Sequence, residues 1–180
     1  MKLQEGNMAL DFRATDIYGK EIKLSDYKGK NIILGFYRNV NCPYCNRRVH
    51  QLMGNNVKLK QSDIQLILMF ESSNQKLSAS VFHQGISPWP IIGDPEKRVY
   101  KLYGVEENFL KMVKTAFTSS LAQAKKDTRA LNLPKDKDAS MNLIPADFFI
   151  DKNFKIVKAH YGKHLDDHIN IEEIKTFAGI

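Results

Sequence analysis

The sequence predicts an α/β fold: a mixed central sheet with helices on both faces, in a single domain over residues 1–180. Three observations predict it. Two apolar runs of strand length, Asn31 to Tyr37 and Ile64 to Phe70, are each followed by a stretch with helical spacing, the alternation that builds a sheet between helices. Two later runs, Ala146 to Asp151 and Lys155 to Tyr161, flank the turn Asp151-Lys152-Asn153, so a late hairpin makes the sheet mixed. The apolar fraction, 43% of 180 residues, is enough for a core of that size.

The elements follow in order. Leu10-Asp11-Phe12 and Ile22-Lys23-Leu24 alternate around Asp16 to Lys20 and read as a small hairpin. Ser25 or Asp26 caps a short turn that ends at Gly29. Asn31 to Tyr37 is the first core strand. A helix runs from Pro43 to about Leu52, with Val49, Leu52 and Met53 on its apolar side. Ile64 to Phe70 is the second core strand, and Ser72 or Ser73 caps a helix that ends by Gly85. Ser87 to Pro95 is a loop with a short strand, and Glu96 to Tyr103 is a short helix stopped at Gly104. Glu107 to Lys126 carries Phe109, Val113, Ala116, Phe117, Leu121 and Ala124 at helical spacing. It reads as a long amphipathic helix inside an insertion over about 105–140. Packing on its own domain is its simplest role. A lid, a dimer surface or a contact with anionic lipid through Lys111, Lys114, Lys125 and Lys126 are the others. Asp127 to Ser140 is a polar loop. Asn170 or Glu172 opens a last helix that runs to about Phe177.

Composition excludes several classes. The net charge of +7 is diffuse, with no zinc-finger spacing and no recognition helix, so nucleic acid is not an expected partner. No run of eighteen apolar residues suggests a spanning helix, and membrane contact is not expected. The N-terminal residues lack the apolar core of a signal peptide, which points to a cytoplasmic location. No G-x-G-x-x-G, P-loop or G-x-S-x-G motif supports nucleotide or serine-ester chemistry. His160, His164 and His168 share no helix face with one another, so no metal site is expected and no cofactor is implied.

The chemistry lies in Cys42-Pro43-Tyr44-Cys45, the only two cysteines in the chain. Two thiols two residues apart close a small disulfide ring. Pro43 suits the first helical position, which puts Cys42 at a helix N-terminus, where free N–H groups and the dipole favour a thiolate. Cys42 is the expected nucleophile. It attacks either a substrate disulfide, giving a mixed disulfide that Cys45 resolves, or a peroxide, giving a sulfenic acid that Cys45 condenses with. A non-catalytic binding or metal-holding module is the alternative.

Five stretches in order carry a resemblance: Asp11 to Asp16 followed by Gly19; Leu24 to Lys30; Phe36-Tyr37-Arg38 before the cysteine pair; Asp94 to Val105; and Pro145 to Asp151. Together they resemble the thioredoxin superfamily on its peroxiredoxin side, near the alkyl hydroperoxide reductases and thiol-specific antioxidants. The resemblance implies a thioredoxin-like fold and an oxidoreductase that is either a thiol–disulfide oxidoreductase or a peroxide reductase in antioxidant defence. It implies a thiol reductant such as thioredoxin or glutathione, a peroxide or disulfide substrate, and by analogy a homodimer.

Two departures matter. Peroxiredoxins carry a Thr or Ser three residues before the peroxidatic Cys and a Pro seven before; here these are Asn39 and Gly35. Their peroxide-polarising Arg before the late strand is replaced by Pro145, which fits the cis-proline place of thioredoxins. Both departures tilt the reading towards disulfide exchange. Arg38 or Arg47 is the candidate substitute for the missing Arg. Tyr44 is expected at the site mouth and Asn39 as a hydrogen-bond partner of Cys42 in place of the missing hydroxyl, or as a plain loop residue. Pro145 is expected to shape the substrate groove, and Trp89, before Pro90, is a rival at that edge.

Overall fold

The computed structural model describes residues 1–81, 87–115, 126, 136 and 139–180. A small antiparallel hairpin leads, β1 (Arg13–Thr15) and β2 (Glu21–Lys23), with Ala14 opposite Ile22. Its turn is set by Asp16, whose Oδ1 accepts from the N–H groups of Tyr18 and Lys20 at 2.9 Å each. β1 lies three residues later than the expected Leu10 to Phe12, whereas β2 begins one residue before the expected Ile22. The reason is Asp11: its carboxylate accepts from Ser25 N and Ser25 Oγ, both at 2.8 Å, and ties that segment to the following turn.

The central sheet holds β3 (Asn31–Tyr37), β4 (Ile64–Phe70), β5 (Ile91–Gly93), β6 (Ala146–Ile150) and β7 (Ile156–Tyr161), in the order β5-β4-β3-β6-β7. β3 runs parallel to β4 and antiparallel to β6, and β6 to β7 is the late hairpin. The fold is a mixed α/β sheet, as expected. Alternate residues of each strand feed two cores. Ile33, Tyr37, Leu66, Leu68 and Phe149 face one side, and Ile32, Leu34, Phe36, Ile67, Met69 and Phe148 face the other. A strand buried on both faces reads as a near-continuous apolar run, interrupted in β4 only by the half-buried Gln65, which is why the sequence marks β3 and β4 residue for residue.

The first face is covered by α1 (Pro43–Gly54), α2 (Asn56–Gln61), α3 (Asn74–Val81) and α6 (Ile171–Ala178), the second by α4 (Arg98–Leu102) and the N-terminal segment. Ser73 Oγ accepts from Lys76 N at 3.4 Å at the start of α3, as expected of a cap. The expected end of that helix near Gly85 lies outside the described residues. Asn170 caps α6, its side chain accepting from Glu173 N at 2.8 Å. α2 was not expected: its one buried anchor is Leu59, too sparse for a periodic signal.

α5 (Phe109–Thr115) starts two residues after the expected Glu107. Its inner side also differs from the expectation. Phe109, Leu110 and Val113 are exposed, whereas Met112 packs on the core and Thr115 is buried, its Oγ1 accepting from Leu165 N at 2.9 Å. Residues 116–125 of the expected helix lie outside the described residues. Among the described residues no helix is long and apolar enough to cross a membrane.

The register fixes where chemistry gathers. Tyr37 at the end of β3 pairs with Phe70 at the end of β4, and Phe36 pairs with Ala146 at the start of β6. The residues after β3, after β4 and before β6 therefore meet at one edge of the sheet. β3 sits there between a parallel and an antiparallel neighbour, the kind of place where α/β sheets put their sites.

Candidate active site

The chain leaves β3 at Arg38 and reaches α1 through a buried loop. Val40 N donates to Ser72 Oγ at 2.9 Å, and Cys42 N donates to Asn39 O at 3.1 Å. Cys42 is the N-cap residue of α1, with extended backbone (φ −70°, ψ 114°), and Pro43 follows in the first turn. Asn46 locks the bend: its Nδ2 donates to Val40 O at 2.7 Å and Cys42 O at 3.0 Å, and its N–H to Cys42 O at 3.1 Å. Both cysteines are free thiols, and they are only 2% and 0% exposed.

Arg38 serves both sulfurs. Its Nη1 lies 3.5 Å from Cys42 Sγ, and its backbone N–H donates to Cys45 Sγ at 3.3 Å. Burial alone would push the Cys42 thiol up. The hydrogen bond from the Cys45 thiol and the Arg38 guanidinium outweigh burial and bring it down to about 6. Burial pushes Cys45 the other way, well above its ordinary range, and the neighbouring Cys42 sulfur adds to that. Two thiols in one turn are thus driven apart, one a thiolate and one a proton-bearing thiol.

The guanidinium is held from behind. Arg38 Nη2 donates to Ser140 O at 3.2 Å and Met141 O at 2.7 Å. Glu71, just after β4 and buried, fastens the same segment: Oε2 accepts from Ser140 N at 3.1 Å, and Oε1 accepts from Asn39 Nδ2 at 3.1 Å. Lys97 Nζ, 3.5 Å from Glu71 Oε2, balances this charge. One carboxylate therefore joins the loop before Cys42 to the strap that aims Arg38.

A second buried cluster lies on the α1 face of the sheet. Asp147 of β6 is 2% exposed. Its Oδ2 is 2.9 Å from His168 Nδ1 and accepts from Ile169 N at 2.9 Å. The His168 ring stacks on Tyr37 with centroids 4.8 Å apart. Burial would raise the Asp147 carboxyl, but the His168 side chain, the Arg48 guanidinium and the Ile169 N–H hold it below its ordinary value. This cluster explains the glycine at position 35. A Cβ there would come within 2.8 Å of Tyr37 Cε2, 3.0 Å of the Tyr37 hydroxyl and 3.2 Å of Asp147 Oδ1.

The structure sorts the expected site residues. Cys42, Cys45 and Arg38 come together; Arg47 instead pairs with Asp166. Asn39 makes no side-chain bond to Cys42 because its amide is taken by Glu71. Tyr44 is not at an open mouth: the first turn of α1 packs against the sheet and leaves it 2% exposed. Trp89 is likewise buried, in the cluster that holds both cysteines. Pro145 sits beside the end of β3, but no described peptide bond is cis. Ile144 N donates to Glu106 O at 3.0 Å and Pro145 O accepts from Gly162 N at 2.9 Å, which fixes that segment as an ordinary extended lead into β6. His168, which shares no helix face with His160 or His164, is enclosed by Asp147 and Tyr37. The sequence reading missed Glu71 and Asp147, although Asp147 is a lone charge inside an apolar strand, a signal in itself.

Residues 6–159 match the AhpC/TSA family. The chain belongs to that family. A protein of Mycobacterium tuberculosis assigned as a peroxiredoxin is 22% identical over 171 residues, covering 93% of this chain and 91% of its own length. The thiol-disulfide oxidoreductase ResA of Bacillus thuringiensis is 27% identical over 104 residues, 58% of this chain and 60% of ResA. Among solved structures, a Chlorobium tepidum protein assigned as the thiol:disulfide interchange protein DsbE superposes with a TM-score of 0.65 at 20% identity, over 99% of this chain and 100% of that one. This AhpC/TSA protein thus has a thioredoxin-like fold and is a thiol-dependent oxidoreductase.

Proposed function

We propose that the protein reduces peroxides, with Cys42 as nucleophile and Cys45 as resolving thiol. The Cys42 thiolate attacks one peroxide oxygen and the O–O bond breaks. Cys42 becomes a sulfenic acid, and the leaving alkoxide or hydroxide takes a proton. The Cys45 thiol then condenses with the sulfenic acid, releasing water and forming the Cys42–Cys45 disulfide. Two thiol groups, from one dithiol of the thioredoxin class or from two molecules of a monothiol such as glutathione, return the pair to thiols and leave as the reductant's disulfide.

The observation that carries this reading is the Arg38 guanidinium 3.5 Å from Cys42 Sγ. It puts a fixed positive charge where the O–O bond must polarise, from β3 rather than from the strand that supplies Arg in peroxiredoxins. With Cys42 at about 6, roughly nine-tenths of it is thiolate at pH 7. Burial of Cys42 to 2% also supports a small oxidant: a peroxide needs little displaced cover, whereas a protein disulfide must reach the sulfur in line. Trapping with dimedone tests the step. In Cys45→Ser protein, one equivalent of peroxide gives a dimedone adduct on Cys42; absence of adduct, with Cys42 still a thiol, refutes the reading.

Disulfide exchange is the second reading, favoured by Asn39 standing where peroxiredoxins keep a hydroxyl. It predicts rapid mixed-disulfide capture by Cys45→Ser protein and slow peroxide turnover. We place the protein in the cytoplasm, where reducing conditions suit a free thiol pair; cell fractionation checks this. The peroxiredoxin analogy supports a homodimer, which light scattering tests by mass.

A further inference from the structure

Lys97 holds a backbone shape that lysine does not favour. Its φ is 55° and its ψ 35°, in the left-handed region, just before α4. Among the described residues only Phe154 shares a positive φ without being glycine. The turn itself needs no side chain at this position. Lys97 N donates to Asp94 O at 2.9 Å, and the Asp94 carboxylate accepts from Arg98 N at 3.0 Å and Val99 N at 2.7 Å. Glycine takes up such a shape freely, whereas a residue with a Cβ is strained in it. Strain of this kind persists only where the surroundings hold it, which directs attention to the side chain.

The lysine ammonium joins three segments. Lys97 Nζ lies 3.5 Å from Glu71 Oε2 at the end of β4, and it bonds Glu107 Oε1 in the lead into α5 and Ser140 Oγ in the strap. The Glu71 side chain is 1% exposed. Ser140 sits between the two carboxylates: its N–H donates to Glu71 Oε2 at 3.1 Å and its hydroxyl to Glu107 Oε1 at 2.8 Å. Ser140 O in turn accepts from Arg38 Nη2 at 3.2 Å, and Arg38 Nη1 lies 3.5 Å from Cys42 Sγ. Without Lys97, two carboxylates would face each other across Ser140. The buried one would have no cation within ion-pair distance among the described residues. An uncompensated buried charge is costly. It would displace the strap, or draw Arg38, already linked to it through Ser140, away from the sulfur.

We infer that Lys97 is a positioning residue for the Cys42 thiolate: by neutralising Glu71 and Glu107 around Ser140, it holds the strap in place and leaves the Arg38 charge to Cys42. It acts through Glu71, Ser140 and Arg38 rather than on either sulfur. The inference rests on the reading of Cys42 as the nucleophile that Arg38 serves, and it holds for either oxidant.

The test is thiolate ultraviolet absorbance against pH in a Cys45→Ser background of the full chain, with near-ultraviolet dichroism as the check on folding. Lys97→Gly removes the ammonium and relieves the backbone. A lysine that served only the turn would leave the Cys42 midpoint unchanged in this variant. The inference expects the midpoint to rise by about 1 pH unit, roughly a tenfold loss of thiolate below the midpoint. Lys97→Arg keeps the charge on the same strained backbone and should shift less than half as far as Lys97→Gly. Lys97→Gln keeps a side chain that can bond Glu71 and Ser140 but loses the charge; its midpoint should also rise, and it gives the reading where the glycine variant does not fold. A folded Lys97→Gly or Lys97→Gln protein at the parent midpoint overturns the inference, as does Lys97→Arg shifted as far as Lys97→Gly. Either result leaves the peroxide reading standing, because no peroxide enters the measurement and the dimedone trap tests that step separately.

Discussion

Replacing Arg38 by Met tests how the thiolate is made. Cys42 drops from its ordinary value of 9.0 to about 6, roughly 4 kcal/mol between its protonation states at about 1.4 kcal/mol per pH unit. The hydrogen bond from Cys45 is the largest favourable contribution, and the charge and hydrogen bond of Arg38 supply much of the remainder. Arg38→Met keeps the first and removes the second, so the midpoint should rise by about 1–2 pH units. At pH 7 the thiolate would then fall from roughly 90% to between about 50% and 10%. The assay is thiolate ultraviolet absorbance against pH in a Cys45→Ser background, where a hydroxyl replaces the second thiol, with near-ultraviolet dichroism to show the fold is kept. Arg38→Lys should fall between, since an ammonium keeps the charge but cannot hold Cys42, Ser140 and Met141 with one planar fork. A folded Arg38→Met protein whose midpoint stays near 6 would refute the reasoning.

Further perturbations follow from the buried groups. Glu71→Leu cuts the tie between Asn39 and the strap at Ser140; peroxide reactivity should drop about tenfold or more while Cys42 remains present and reduced, read by thiol titration and stopped flow. Asp147→Leu leaves His168 Nδ1 and Ile169 N without their acceptor, and urea unfolding should show a loss of about 3–5 kcal/mol. Because the folded Asp147 carboxyl lies below its ordinary 3.8, its contribution is present above that pH and is lost as pH falls through the lower folded value; the acid limb of unfolding should flatten in the variant. Gly35→Ala drives a methyl against the Tyr37 ring and should cost about 1–3 kcal/mol by the same denaturation; an unchanged midpoint would show that the ring moves freely.

The sequence carries much of the frame because the frame is local. β3 and β4 are legible to the residue, since burial on both faces leaves a near-continuous apolar run bounded by polar residues. The cysteine pair and its Pro43 announced a helix start, and Cys42 is the N-cap. What stayed hidden depends on contacts far apart in the chain. Arg38 reaches the carbonyls of Ser140 and Met141, 102 and 103 residues away, and only that strap turns a strand-end arginine towards a sulfur. His168 meets Asp147 across 21 residues, a pairing that local spacing does not show. Gly35 looked like a missing proline until Tyr37 and Asp147 filled the space above it. The apolar face of α5 was misread because spacing gives a helix but not the side that meets the core.

The central claim is that Cys42, aimed and charged by Arg38, reacts with peroxide. Stopped-flow mixing of the reduced protein with one equivalent of hydrogen peroxide, followed through Trp89 fluorescence and confirmed by loss of the Cys42 thiol, measures it directly. The account predicts a second-order rate far above that of a free thiolate and a sharp loss of that excess in Arg38→Met. A rate no faster than a free thiolate would contradict it and leave disulfide exchange as the chemistry of the pair.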